Sequence, residues 1–109
     1  MKAVYIQTGE SLNYVNPGEA AIAAGDVVVL GTRIGIAGTD IPANSLGTVH
    51  VTGVFAIPKK AGEALAVGAA VYFSTTDGIT ATASGNTPAG YAAMAAAAPD
   101  AAARVKLLG

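Results

Sequence analysis

The sequence predicts an all-β fold, a single-domain β-sandwich or partly closed β-barrel of about eight short strands with little helix. Three observations carry that expectation. Apolar runs recur at intervals of about ten residues, separated by Gly, Pro, Asn and Asp, which is the spacing of sandwiches and barrels. Residues 48–57 alternate, with Val49, Val51, Phe55 and Ile57 facing one way and Thr48, His50 and Thr52 the other. Asp77-Gly78 has the chemistry of a type I′ turn between two apolar runs. No linker divides the chain, so residues 1–109 read as one β domain, with 1–14 free to act as an interacting N-terminal strand or arm.

The elements follow in chain order. Residues 2–8 read as a first strand, with Val4 and Ile6 on one face and Tyr5 on the other, ending at the turn Gly9-Glu10-Ser11. Residues 12–15 make a second short strand closed by Asn16-Pro17-Gly18, where Pro fixes φ and Gly supplies φ > 0. The β-branched run of residues 26–30 suggests a central strand buried on both faces. Residues 33–38 form a Gly-punctuated strand, and residues 39–44 lead out through a loop with room for one helical turn. After the alternating stretch, Pro58 stops the strand and Lys59-Lys60 keep its end in water. Residues 70–76 and 79–83 then form the hairpin around Asp77-Gly78, with Thr80 and Thr82 on its solvent face.

The Ala-rich tail has high helix propensity. Gly90 and Pro99 leave only eight residues between breakers, shorter than the roughly 12 to 15 an isolated helix needs. Two strands are therefore expected, over 90–97 and 102–108, with Pro99-Asp100 in the turn. Small Ala side chains there would let a neighbouring sheet or subunit approach closely. An internal echo links Gly18-Glu19-Ala20 and Gly25-Asp26-Val27-Val28 to Gly62-Glu63-Ala64 and Gly68-Ala69-Ala70-Val71. It reads as two similar β-corners in preference to a duplicated half domain.

Composition removes most chemistries. Charged residues are 12% of the chain, about half the roughly 25% of soluble domains, and the formal net charge is -1. That excludes a basic nucleic-acid binder and an acidic disordered tail. With no Cys and one His, disulfides, thiolate metal sites, cysteine catalysis and multi-histidine sites are out of reach. No Gly is followed by Lys as a phosphate loop requires, and Gly31, Gly35 and Gly38 do not have dinucleotide-loop spacing. His50 has no acid near it in sequence, and the carboxylates fall in turns beside Gly or Pro. Asp26 and Asp40 lack a calcium-loop pattern. No catalytic residue, cofactor or metal is expected, and neither nucleic acid nor membrane is an expected partner. No stretch approaches the roughly 20 apolar residues of a membrane span, and no secretion signal is apparent, so a soluble chain made in the cytoplasm is expected. A monomer of this size exposes roughly 5,500 Å², too much for so few charges to keep free of apolar patches, which favours a subunit covered by copies of itself or by a larger partner.

The order of several pieces resembles a known family. They are Gly25-Asp26-Val27-Val28-Val29, Ile34-Gly35-Ile36-Ala37 with Thr39-Asp40-Ile41, and Gly53-Val54-Phe55-Ala56-Ile57-Pro58-Lys59. Val71-Tyr72-Phe73, Gly85-Asn86-Thr87-Pro88-Ala89-Gly90 and Ala103-Arg104-Val105-Lys106-Leu107 continue the series. Over nearly the whole chain this is similar to the phage and prophage capsid cement, or head decoration, proteins. The recombinase label such chains sometimes carry does not suit one without a phosphate loop. The resemblance implies a non-enzymatic, β-rich virion protein, made in the host cytoplasm, that attaches to the capsid exterior. Its partner would be the major capsid protein, and it would act as a homo-oligomer, a trimer by analogy with lambda-type head decoration proteins.

The N-terminal segment could then add a strand to a neighbouring subunit or to the shell, with Lys2, Tyr5, Ile6 and Tyr14 as interface residues. An ordinary edge strand of the same domain is the alternative. From another class, a β-sandwich module contacting host glycans on a virion surface or tail competes, although Trp is absent and there are only four Tyr and two Phe for sugar stacking.

Overall fold

The computed structural model describes residues 1–108. Its strands are β1 (Ser11–Val15), β2 (Val27–Leu30), β3 (Arg33–Ala37), β4 (Leu46–His50), β5 (Thr52–Pro58), β6 (Ala70–Ser74), β7 (Gly78–Thr80), β8 (Thr87–Ala92) and β9 (Ala102–Leu108). They form two antiparallel sheets, in the orders β1-β4-β3-β2 and β5-β9-β8-β6-β7, and the described residues contain no helix. The all-β expectation holds, with nine strands instead of about eight. The barrel alternative does not. One parallel bridge, Lys59 to Ile79, brings β7 beside the end of β5, but a three-residue β7 offers too little edge to close the ring. The result is a broad plate of 42 × 37 × 22 Å with a Cα radius of gyration of 14.7 Å, against about 13 Å for a compact chain of this length.

The two sheets repeat one topology. β5-β9-β8-β6 matches β1-β4-β3-β2 strand for strand, and β7 is an added hairpin arm. The backbone bonds repeat too: Gly25 N donates to Ala37 O and Ala37 N to Asp26 O, just as Gly68 N donates to Ala92 O and Ala92 N to Ala69 O. A bridging residue, a tight turn and a strand occur four times, beginning at Ile22, Ile41, Leu65 and Ala96. The bridges pair within each half, Ile22 with Ile41 and Leu65 with Ala96. Gly25, Asn44 and Gly68 hold φ of 90°, 59° and 80° at the third position of their turns, as type II geometry demands. The fourth turn has Pro99 in that place and is held by the Asp100 carboxylate, which accepts from Ala97 N at 2.8 Å. The echo in the sequence is thus part of a duplicated half, not merely two similar corners. What hid the rest is that the second pair of corners, at Ile41 and Ala96, shares its place in the topology but neither its turn type nor its side chains.

Each half has its own core at the same places. Val28, Ala37, Ile41, Val49 and Val51 fill the first, and their counterparts Val71, Ala92, Ala96, Val105 and Leu107 fill the second. Complete burial of an aliphatic side chain such as Ile41 or Val49 contributes about 1.5–3 kcal/mol. Ala92, Ala96 and Ala103, from the Ala-rich tail, are buried in the second core. The halves meet because Ile34, Ile36 and Val27, on the opposite face of the first sheet, join the second core beside Phe55 and Phe73.

Several local expectations are corrected. Residues 2–8 are not a strand: Val4 and Ile6 alternate correctly but have no core to cover, and the segment stands in water. β2 is an edge strand, not a central one, with Val28 buried and Val29 facing out. Residues 39–44 form no helical turn, because Ile41 is bridged to Ile22. The alternating stretch 48–57 is two strands that belong to different sheets, with the crossing at Val51, whose amide bonds Glu10 O at 3.0 Å. The hairpin register pairs Ser74 with Gly78, leaving a three-residue loop in place of a two-residue turn. Thr80 is buried, because its hydroxyl is satisfied from within. In the tail, β8 starts and stops earlier than residues 90–97, and β9 matches 102–108.

Candidate interaction surface

The N-terminal arm is the feature with least explanation inside the fold. Val4, Tyr5 and Ile6 are exposed, and so is Lys2. Among the described residues, two side-chain bonds order the arm: Tyr5 Oη with Thr8 Oγ1 at 3.2 Å, and Gln7 Nε2 donating to Ser11 O at 3.2 Å. Tyr14 lies elsewhere, in β1, half-buried against the first core. Of the four expected interface residues, Lys2, Tyr5 and Ile6 are thus exposed on the arm and Tyr14 is half-buried in the body.

At the root of the arm stands His50. Its Nδ1 lies 3.0 Å from Ser11 Oγ, and its ring stacks on Phe55 with centroids 6.3 Å apart. The Cα of Gly38 passes so close under the imidazole that a Cβ there would meet Nε2 at 2.8 Å. The ring lines an open groove of about 370 Å³ between the halves, walled by Val27, Ile36, Phe55, Ile57 and Pro58. A neighbouring groove of about 460 Å³ runs past Phe73 to the β6–β7 loop. No group of three potential metal ligands occurs among the described residues.

Four carboxylates accept backbone hydrogen bonds, that of Asp100 being described above. Asp26 accepts from Ala23 N at 3.0 Å and Asp40 from Ala24 N at 2.8 Å, each closing a corner. Glu63 accepts from Ala81 N at 2.7 Å. That backbone bond, then the Thr80 hydroxyl, hold its carboxyl below the ordinary value, with lesser help from Lys60 and Lys59.

Two buried polar side chains were not legible in the sequence. Lys59, expected in water, is buried, and its ammonium donates to Lys60 O at 3.0 Å, Glu63 O at 2.6 Å and Ala98 O at 3.2 Å. Asn16 occupies the equivalent place in the first half and donates to Ala20 O at 2.8 Å and Ile41 O at 3.0 Å. Both follow the first strand of a half and tie its corner pair together. The only signal was position, directly after a strand and before a Gly-containing corner.

Beyond the arm, large apolar side chains reach solvent on β1 and β4 at Leu12, Val15 and Leu46, and on the second half at Val54, Val67, Tyr91 and Met94. The surface is suited to association. A family model described as phage cement protein matches residues 6–107. No curated protein and no solved structure matches the chain.

Proposed function

Because the chain belongs to the phage cement protein family, a family of phage structural proteins, we propose that it binds the outside of an assembled phage capsid non-covalently and stabilises it. The observation that carries this reading is the family match over residues 6–107. The exposed apolar arm and the uncovered apolar residues of both halves support it, since a protein acting by binding alone needs surface rather than a reaction centre. The partner is the major capsid protein, and the protein acts as a homo-oligomer, a trimer by analogy with other head decoration proteins. It is made in the host cytoplasm, ends on the capsid exterior, and needs no catalytic group. A ligand that binds the assembled lattice alone stabilises each site by about 2.7 kcal/mol at a hundred times its dissociation constant, and many copies multiply that gain.

The arm is the proposed capsid contact, with Lys2, Tyr5 and Ile6 reaching the shell and Tyr14 bracing β1 against the body. An extended segment with alternating side chains can add to an unpaired strand edge of another chain. The test mixes purified protein with undecorated expanded capsids of its phage and counts bound copies. Saturation at a fixed ratio to shell subunits, with raised capsid melting, is expected. Absence of binding overturns the reading.

A further inference from the structure

We propose that copies of this chain join head to tail, the second half of one copy seating on the first half of the next as the first half seats on the second within each chain. This deepens the homo-oligomer reading above and rests on it. The argument starts from the duplication. Inside the chain, the first half presents one face of β2 and β3, with Ile36 5% exposed, to Phe55 and Ile57 of the second half. The pairing registers locate the same face on the second half: Ile36 pairs with Val27 and His50, while Tyr91 pairs with Ala70 and Lys106. Tyr91 is thus the counterpart of Ile36, but it is 39% exposed. Gly35 and Gly90 bear out the equivalence, for each lies against the carbonyl of the residue that pairs with its C-terminal neighbour, His50 with Ile36 and Lys106 with Tyr91.

The receiving edge repeats as well. Phe55 opposite Val105 in the second half corresponds to Leu12 opposite Val49 in the first, and Ile57 corresponds to Tyr14. Leu12 is 40% exposed, and Val15, at the place of Pro58, is 56% exposed. Val67, at the place of the groove residue Ala24, is 67% exposed. The second half therefore carries a presenting face without a receiver, and the first half a receiving edge without a presenter. A second copy supplies both. The same contact cannot be isologous, because the two surfaces differ, so it builds a ring where the rotation closes and a filament where it does not.

The chain has no Cys, which makes the test direct. Leu12→Cys and Tyr91→Cys variants are refolded together and treated with a short bis-maleimide. Covalent dimers are expected in the mixture and in neither variant alone, because the contact sets residue 12 of one copy against residue 91 of another. Tyr91→Asp, with its fold checked by circular dichroism, is expected to weaken association about tenfold or more by sedimentation. Cross-linking of either single variant with itself overturns the proposal. So does an oligomeric wild type whose mixture gives no 12–91 product, or a wild type that stays monomeric while saturating capsids. In these last two cases the cement reading stands and only the contact fails; a protein that neither associates nor binds capsids removes both.

Discussion

Replacing Lys59 by Met tests the unusual anchor of the second half. The substitution keeps an unbranched apolar stem of similar length and removes the ammonium that donates to the carbonyls of Lys60, Glu63 and Ala98. Hydrogen bonds to a charged group contribute about 1.5–3 kcal/mol each, and part of that sum is offset by no longer desolvating an ammonium, which costs several kcal/mol. A net loss of about 3 kcal/mol is expected. For a domain of this size that lowers Tm by about 15 °C and removes a large share of the usual 5–15 kcal/mol of stability. Urea unfolding followed by circular dichroism reads the change as a lower midpoint at constant slope. Lys60→Met, one residue on and exposed, serves as control and is expected to stay within about 0.5 kcal/mol. A Lys59→Met loss under about 1 kcal/mol, or an equal loss in the control, would refute the view that three converging carbonyls make Lys59 structural.

Other consequences are as accessible. Glu63 has a lowered folded pKa, so its stabilisation is present above the ordinary carboxylate value and is lost as pH falls through the lowered one. The stability difference between wild type and Glu63→Gln should accordingly shrink between pH 7 and pH values below the carboxylate range, and a constant difference contradicts the assignment. Gly90→Ala sets a Cβ into the Lys106 carbonyl at φ 140° and should cost about 3 kcal/mol or more. Gly62→Ala, with positive φ but open space, should cost only about 1–2 kcal/mol. Comparable melting of the two variants would argue against the close β8–β9 approach. Deleting residues 2–8 should leave unfolding within about 0.5 kcal/mol, since the arm packs on nothing, yet abolish capsid binding; unchanged binding excludes the arm as the contact.

The sequence carried the fold class because side-chain alternation and turn chemistry are local. It did not carry the break at Val51, and the reason is physical: Val49 and Val51 face the first core, Phe55 and Ile57 the second, and the parity never changes across the crossing. Residues 2–8 show the opposite failure, strand-like side chains without a partner to pair with. A strand needs both. Lys59 looked like a solvated strand end because one of its acceptors, Ala98 O, lies 39 residues away in sequence, and nothing in the local residues marks the Lys60 and Glu63 carbonyls as turning toward its ammonium. Of the candidate surface, the apolar arm was legible, whereas Leu12, Val67 and Tyr91 became interpretable only once the pairing registers exposed the duplication.

The crossing at Val51 has a mechanical meaning. With a single residue between β4 and β5, the two halves share one continuous backbone path and no slack. A pull on the arm arrives at the Ser11 end of β1, which is paired with the His50 end of β4, and meets first the bond that ties Val51 to Glu10 at the arm's root. Tension is handed from β4 straight into β5 and spread over the seven residue pairs that β5 forms with β9, from Thr52 with Leu108 to Pro58 with Ala102. A load on the arm is therefore delivered to both halves through one residue, and neither half can be displaced without the other.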